Sequence, residues 1–225
     1  MVKKEISIII TIFLLSFCSF AVWADTIDTP EYILYMPSGI DSGQKYPLVI
    51  ALSPNADAQG MINVWKAISE KYNWILFASK EFKNGQPFYS DVDYHIMAVV
   101  KQLCMQYPID TSRIIATGMS GGGMGSHGYA FIFPEIISAI VVNTGKINEY
   151  FLEPGQKEKY PQGKIAVFLA SPTDFRYQEM KRDQVFLENI GWKTKWIEFE
   201  GGHTFAPASA YGEAAEWLMK KLFPN

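Results

Sequence analysis

The sequence has few of the residues that staple a fold or carry imidazole chemistry. Among 225 residues there are two cysteines, Cys18 and Cys104, and three histidines, His95, His127 and His203. Cys18 falls in an apolar leader, which leaves Cys104 alone and excludes an intramolecular disulfide in the rest of the chain. Stability must therefore come from a hydrophobic core, and a chain of this size can bury one. Cys104 reads as a lone buried thiol. Charge is also scarce: 19% of residues are charged and the net charge is −3. That balance gives no electrostatic basis for nucleic acid as a partner. No internal repeat, low-complexity tract or linker divides the chain. Its 48% hydrophobic content suits one packed domain.

What is present begins with a leader. Lys3 and Lys4 precede an apolar run from Ile6 to Phe20, and the small residues Ala21 and Ala24 follow. This is the order of a secretory signal peptide, with cleavage expected after Ala24. The run is about 15 residues, short of the roughly 20 that span a bilayer, so no stable membrane insertion is expected after cleavage. Phe17 is too large for a lipid-attachment site at Cys18. The expected organisation is a signal peptide over 1–24 and one domain over 25–225, in an exported protein, periplasmic or extracellular.

Strands and helices alternate along the rest. Tyr32–Met36, Leu48–Leu52, Trp74–Ala78, Arg113–Thr117, Ala139–Asn143, Ile165–Ala170 and Lys195–Phe199 read as strands. Several are continuous apolar runs, the mark of strands buried on both faces. Met61–Lys71, Asp93–Tyr107, the segment from Gly118 to Phe133, Arg176–Asn189 and Ala208–Leu222 read as helices; Ile96, Val99, Val100 and Leu103 form one apolar stripe. The pattern predicts an α/β fold, a mainly parallel sheet with helices on both faces. Chemistry in such sheets gathers at the carboxyl ends of the strands.

One such end carries Gly118-Met119-Ser120-Gly121-Gly122, a G-x-S-x-G nucleophile elbow between a strand and a helix. The glycines are a steric requirement, because side chains there would strike the neighbouring strand and helix. The helix start behind Ser120 offers free N–H groups that favour an oxyanion. Gly123-x-Gly125-x-x-Gly128 also fits a dinucleotide fingerprint, but it begins inside the presumed helix, and no lysine follows as a phosphate loop requires.

A serine needs a base to take its proton. His95 and His127 lie within predicted helices and read as surface or packing residues. His203 follows a strand and Gly201-Gly202, at the carboxyl edge of the sheet, and is the natural base. The base needs an acid to hold its tautomer. Asp174 follows Ile165–Ala170 through Ser171-Pro172-Thr173 and fills that place. Asp183 reads as a solvated helix face, and Asp91 and Asp93 as helix-capping residues. Ser120, Asp174 and His203 thus stand in the order Ser…Asp…His, each after a separate strand.

These segments resemble the α/β-hydrolase superfamily, and within it small secreted esterases of the polyhydroxybutyrate depolymerase, feruloyl esterase and dienelactone hydrolase-like groups. The resemblance rests on Tyr32-Ile-Leu-Tyr-Met-Pro, Tyr46-Pro-Leu-Val-Ile-Ala-Leu, Tyr107-Pro-Ile-Asp-Thr-Ser-Arg-Ile, the elbow, Thr173-Asp174-Phe and Gly201-Gly-His203. It implies an α/β-hydrolase fold and cleavage of carboxylic esters without metal or organic cofactor. The relatives usually carry His-Gly after the strand that corresponds to Leu48–Leu52, where this chain has Ser53-Pro54 and then Asn55. Pro54 has no N–H to give. The resemblance therefore assigns the oxyanion donors to the backbone of Asn55 and Gly121.

The expected function is a serine hydrolase acting on small or polymer-end esters through an acyl-enzyme on Ser120. A serine peptidase on the same three residues, and a catalytically impaired binding protein with this fold, are the alternatives. The segment from Gly145 to Gly163 is the place for a lid; it is short, and Tyr150, Phe151 and Tyr160 are its possible wall residues. An open site with a minimal lid is expected.

Overall fold

The computed structural model describes residues 25–41 and 43–222; the expected signal peptide lies outside them. Among the described residues eight strands form one sheet: β1 (Asp25–Asp28), β2 (Tyr32–Met36), β3 (Tyr46–Leu52), β4 (Ile75–Ser79), β5 (Ile109–Met119), β6 (Ala139–Asn143), β7 (Ile165–Ala170) and β8 (Lys193–Glu198). Among the described residues four α-helices connect strands, α1 (Ala58–Tyr72), α2 (Asp91–Gln106), α3 (Gly121–Ile132) and α4 (Tyr177–Asn189), and α5 (Ala208–Leu222) follows the last strand. The strand order is β1-β2-β4-β3-β5-β6-β7-β8. The pairs from β4 through β8 are parallel, whereas β1 and β2 run antiparallel at one edge.

Both faces of the sheet are covered, which explains the unbroken apolar runs. Along β3, Leu48, Ile50 and Leu52 enter the core beneath α2, α3 and α4, while Val49 and Ala51 face α1 and α5. Helix α2 keeps to its predicted face. Ile96, Val100 and Leu103 are buried on α2, and Val99 packs at its margin. The start of α2 is a capping box: Asp93 N–H donates to Ser90 Oγ at 3.3 Å, and Ser90 N–H donates to Asp93 Oδ2 at 3.1 Å. This satisfies two N–H groups that the helix itself cannot. Cys104 is half-buried on α2, less enclosed than its isolation in the sequence suggested.

Three expectations require correction. β5 begins at Ile109, because Ile109 pairs with Tyr46 before the register jumps to Leu48 against Ile114. The intervening residues bulge around Asp110, whose Oδ1 accepts from Ser112 N–H and Oγ. Asp183 is not on a solvated face. Its side chain is fully enclosed, and Oδ2 accepts the Ile147 N–H at 2.7 Å. Of the three possible lid residues, Phe151 and Tyr160 belong to the core and only Tyr150 stands exposed.

The segment 145–163 is thus tied inward by polar groups. His127 is buried in α3, with Nδ1 3.4 Å from Tyr160 Oη. Burial pushes its imidazole down to about 3 and pushes the Asp183 carboxyl up to about 6. The two act in opposite directions on stability. As pH falls below the ordinary histidine value, the unfolded chain protonates first at His127, so the fold loses stability. For Asp183 the folded chain takes the proton first, so stability rises as pH falls from about 6 toward the ordinary carboxylate value. Urea midpoints measured between pH 6.5 and 4 should separate them. Asp183→Asn should lose stability more steeply on acidification than the parent, and His127→Phe should lose less. Each divergence should be on the order of 2 kcal/mol. Parallel curves for all three proteins would contradict this assignment.

Candidate active site

The strand order reverses at β3, with β4 on one side and β5 on the other. Such a reversal opens a crevice at the carboxyl ends of the strands. β3 delivers Ser53-Pro54-Asn55 to that edge, β5 delivers Ser120, β7 leads to Asp174, and β8 leads to His203.

Ser120 stands between β5 and α3 with φ +54° and ψ −114°. That conformation is rare for a residue with a side chain. It is held at both ends: Ser120 N–H donates to Asn143 O at 2.8 Å, and Ser120 O accepts Met124 N–H at 3.0 Å. The glycines make the turn possible. A Cβ on Gly122 would lie 2.0 Å from Leu52 O, and one on Gly118 would lie 2.4 Å from both Leu52 O and the Gly122 carbonyl carbon. These are backbone atoms, which cannot swing aside.

Three residues named from sequence come together. His203 Nε2 lies 2.8 Å from Ser120 Oγ, and His203 Nδ1 lies 2.7 Å from Asp174 Oδ2. The Asp174 side chain is fully enclosed, while His203 keeps 26% of its exposure. Asp174 Oδ1 accepts Arg176 N–H at 2.6 Å, so both carboxylate oxygens are engaged. A carboxylate facing Nδ1 favours the tautomer that carries its proton there, which leaves Nε2 to accept from the serine. His95 and His127 take no part: His95 meets Glu81 at the surface, and His127 is enclosed in the core.

Two supporting residues escaped the sequence reading. Ser171, buried at the end of β7, accepts Gly202 N–H on Oγ at 2.9 Å and so fixes the approach to His203. A serine directly after an apolar strand was the available signal. Phe175 has its ring 4.5 Å from the imidazole and is 72% exposed. Its face is suited to a positive imidazolium.

The turn after β3 has its own bonding. Ser53 Oγ donates to Asn55 Oδ1, and Asn55 N lies 3.5 Å from Ser53 Oγ. Backbone pairing clamps the turn to the loop after β4: Asn55 bridges Lys83, and Asn84 N–H donates to Pro54 O at 2.8 Å. Gly121, first residue of α3, borders a cleft of about 120 Å³ lined also by Asn84, Gln86, Phe88, Met124 and Asn148. The Asn84 amide rests against Gly121, 1.7 Å from where a Cβ would stand.

No family model and no curated protein matches the chain. Solved structures do. A thermostable esterase aligns with TM-score 0.64 at 21% identity over 89% of this chain, which spans 61% of that protein. FphF, a fluorophosphonate-binding serine hydrolase of Staphylococcus aureus, aligns with TM-score 0.64 at 11% identity, covering 90% of this chain and 98% of the other. A ferulic acid esterase aligns with TM-score 0.63 at 14% identity, covering 88% and 96%. The chain has the α/β-hydrolase fold.

The elbow geometry makes a contrast between adjacent glycines. Gly122→Ala forces the new Cβ against the Leu52 backbone and should cost roughly 3 kcal/mol or more. Gly121→Ala meets only the end of an exposed asparagine side chain, which can rotate away, and should cost less than about 1 kcal/mol. Denaturant unfolding of the two variants checks this; equal losses would refute the proposed close approach.

Proposed function

We propose that the chain is a serine hydrolase that cleaves carboxylic esters through an acyl-enzyme on Ser120. One observation carries this reading: the unbroken line from Asp174 Oδ2 through both His203 nitrogens to Ser120 Oγ, with contacts of 2.7 and 2.8 Å. The fold, shared with esterases and a serine hydrolase, supports it.

In the proposed reaction His203 Nε2 takes the Ser120 proton as Oγ bonds to the ester carbonyl carbon. The carbonyl electron pair moves to oxygen, and Asp174 steadies the imidazolium. The carbon–alkoxide bond then breaks, and the alcohol leaves with the proton from His203. Water repeats the sequence: His203 takes its proton, its oxygen bonds to the acyl carbon, and Ser120 leaves with the proton restored. The backbone N–H groups of Gly121 and Asn55 receive the oxyanion. Gly121 N–H opens a helix and has no intrahelical partner, so it is free for this role. Asn55 N–H faces the Ser53 hydroxyl at the limit of hydrogen bonding, and must turn from it to serve. A missing oxyanion donor typically costs on the order of 10²–10³ in turnover, so a slow enzyme is expected.

The substrate we propose is a small ester or an exposed polymer end, and the place of action is outside the cytoplasm after removal of residues 1–24. In this reading the cleft of about 120 Å³ that Gly121 borders receives the acyl group, and its size favours short chains. A fluorophosphonate probe should label wild type at Ser120 and leave Ser120→Ala unlabelled. Chromogenic esters should show the highest kcat/KM for short acyl chains and exceed matched peptide substrates. Ser120→Ala should lower kcat by at least about 10³-fold, and Asp174→Asn by on the order of 10³–10⁴. Unlabelled wild-type protein would leave the impaired binding protein as the better reading; peptide turnover above ester turnover would make it a peptidase.

A further inference from the structure

We infer that Asn143 is a positioning residue for this site, one that locks the loop carrying His203 to the strand that holds Ser120. The inference rests on the serine hydrolase reading. Asn143 ends β6, between Met119 of β5 and Leu169 of β7. It is fully buried. Its backbone carbonyl accepts the Ser120 N–H at 2.8 Å. Its side chain points the other way along the site. Oδ1 accepts Ala206 N–H at 2.8 Å and the Tyr211 hydroxyl at 2.8 Å, and Nδ2 donates to Thr204 O at 3.1 Å. A longer contact joins Nδ2 to Thr144 Oγ1 at 3.4 Å. One residue thus touches both the nucleophile's backbone and the chain that follows the base.

The amide is chemically specific. Thr204 offers a carbonyl and Ala206 offers an N–H, so a single side chain must both donate and accept at short reach. Asparagine does this; aspartate lacks the donor when ionised, and leucine lacks both. The backbone partners also fix which end of the amide is oxygen, since Ala206 N–H can only donate.

His203 needs such a clamp because of what precedes it. Gly201 and Gly202 have φ +141° and +71°, and this backbone has no side chains to restrain it. Ser171 Oγ holds Gly202 from one side, and Asn143 holds Thr204 and Ala206 from the other. With one side released, the imidazole can drift from Ser120 Oγ. A displacement of about 1 Å at a reacting group can cost 10²-fold in rate.

The test compares wild type with Asn143→Ala and Asn143→Asp, each shown to unfold cooperatively. Asn143→Asp keeps the size of the side chain and serves if the alanine variant does not fold. Ser69→Ala is the control. It removes a buried hydrogen bond to Trp74 O at 2.6 Å, remote from the site on α1, and should lower stability without changing kcat. The Asn143 variants should lose 10- to 100-fold in kcat with KM within about threefold. Their rate of fluorophosphonate labelling should fall in parallel. The downfield proton resonance of the His203–Asp174 hydrogen bond should broaden or vanish in them and persist in Ser69→Ala. Folded Asn143 variants with wild-type kcat, labelling rate and downfield proton would overturn the inference while leaving the hydrolase reading intact. A wild-type protein that neither labels nor hydrolyses esters would overturn both.

Discussion

The carboxyl edge of the sheet depends on one contact between bare backbones, the first turn of α3 lying on Leu52 at the end of β3. Gly118 pairs with Leu52 across the sheet, and Gly122 returns over the same carbonyl, with no room for a Cβ. The chain can make that return only by reversing sharply at Ser120, which is why a serine occupies φ +54°. The strain is local and is offset by two backbone hydrogen bonds, to Asn143 O and from Met124 N–H. What the reversal achieves is exposure. The hydroxyl is lifted off the sheet, and the unpaired N–H groups of α3 gather beneath it.

That contact also decides where the other loops must end. β6 and β7 pair in parallel beside β5, and β8 pairs with β7, so their carboxyl ends lie along the same edge as Ser120. The loops after β7 and β8 need only a few residues to bring Asp174 and His203 into line. The short reach is the advantage of this topology. Three chain segments far apart in sequence converge because parallel pairing has already aligned their strands, and the loops add direction without spanning distance.

Much of this was legible in the sequence, and the reasons are physical. Runs such as Leu48–Leu52 and Ala139–Asn143 announce strands covered on both faces, since little else buries five consecutive residues. Ser120, Asp174 and His203 were legible because histidine is scarce and each residue follows a strand. Legibility fails where a residue's partner is set by tertiary packing. Asp183 follows Arg182 on a charged-looking helix, and its buried carboxylate is held by Ile147 N–H on Oδ2 and by the Arg182 guanidinium on Oδ1. The bulge at Asp110–Ser112 answers to the register of β3 rather than to any local signal. Phe151 and Tyr160 fill the core beneath a segment whose position suggests a lid. The antiparallel edge of β1 and β2 is likewise a matter of pairing partners, which composition does not reveal.

The same failures point to how the fold keeps its loops in register with no disulfide among the described residues. Asn143, Ser171 and Asp183 are buried polar residues on or just after regular elements, and each accepts a backbone N–H of a loop; Asp183 also pairs with the Arg182 guanidinium at 3.2 Å. A loop that crosses buried ground must satisfy its own backbone, because an unpaired N–H there costs about as much as a lost hydrogen bond. A short amide, hydroxyl or carboxylate planted on a rigid strand or helix meets that need and fixes the loop's position in the same act. The carboxylate at Asp183 brings a desolvation cost that pushes its proton affinity up, whereas Asn143 and Ser171 carry no charge and bring only the smaller cost of burying a neutral polar group. Neutral donors and acceptors therefore stand nearest Ser120 and His203, where an added buried charge would compete with Asp174 for the imidazole.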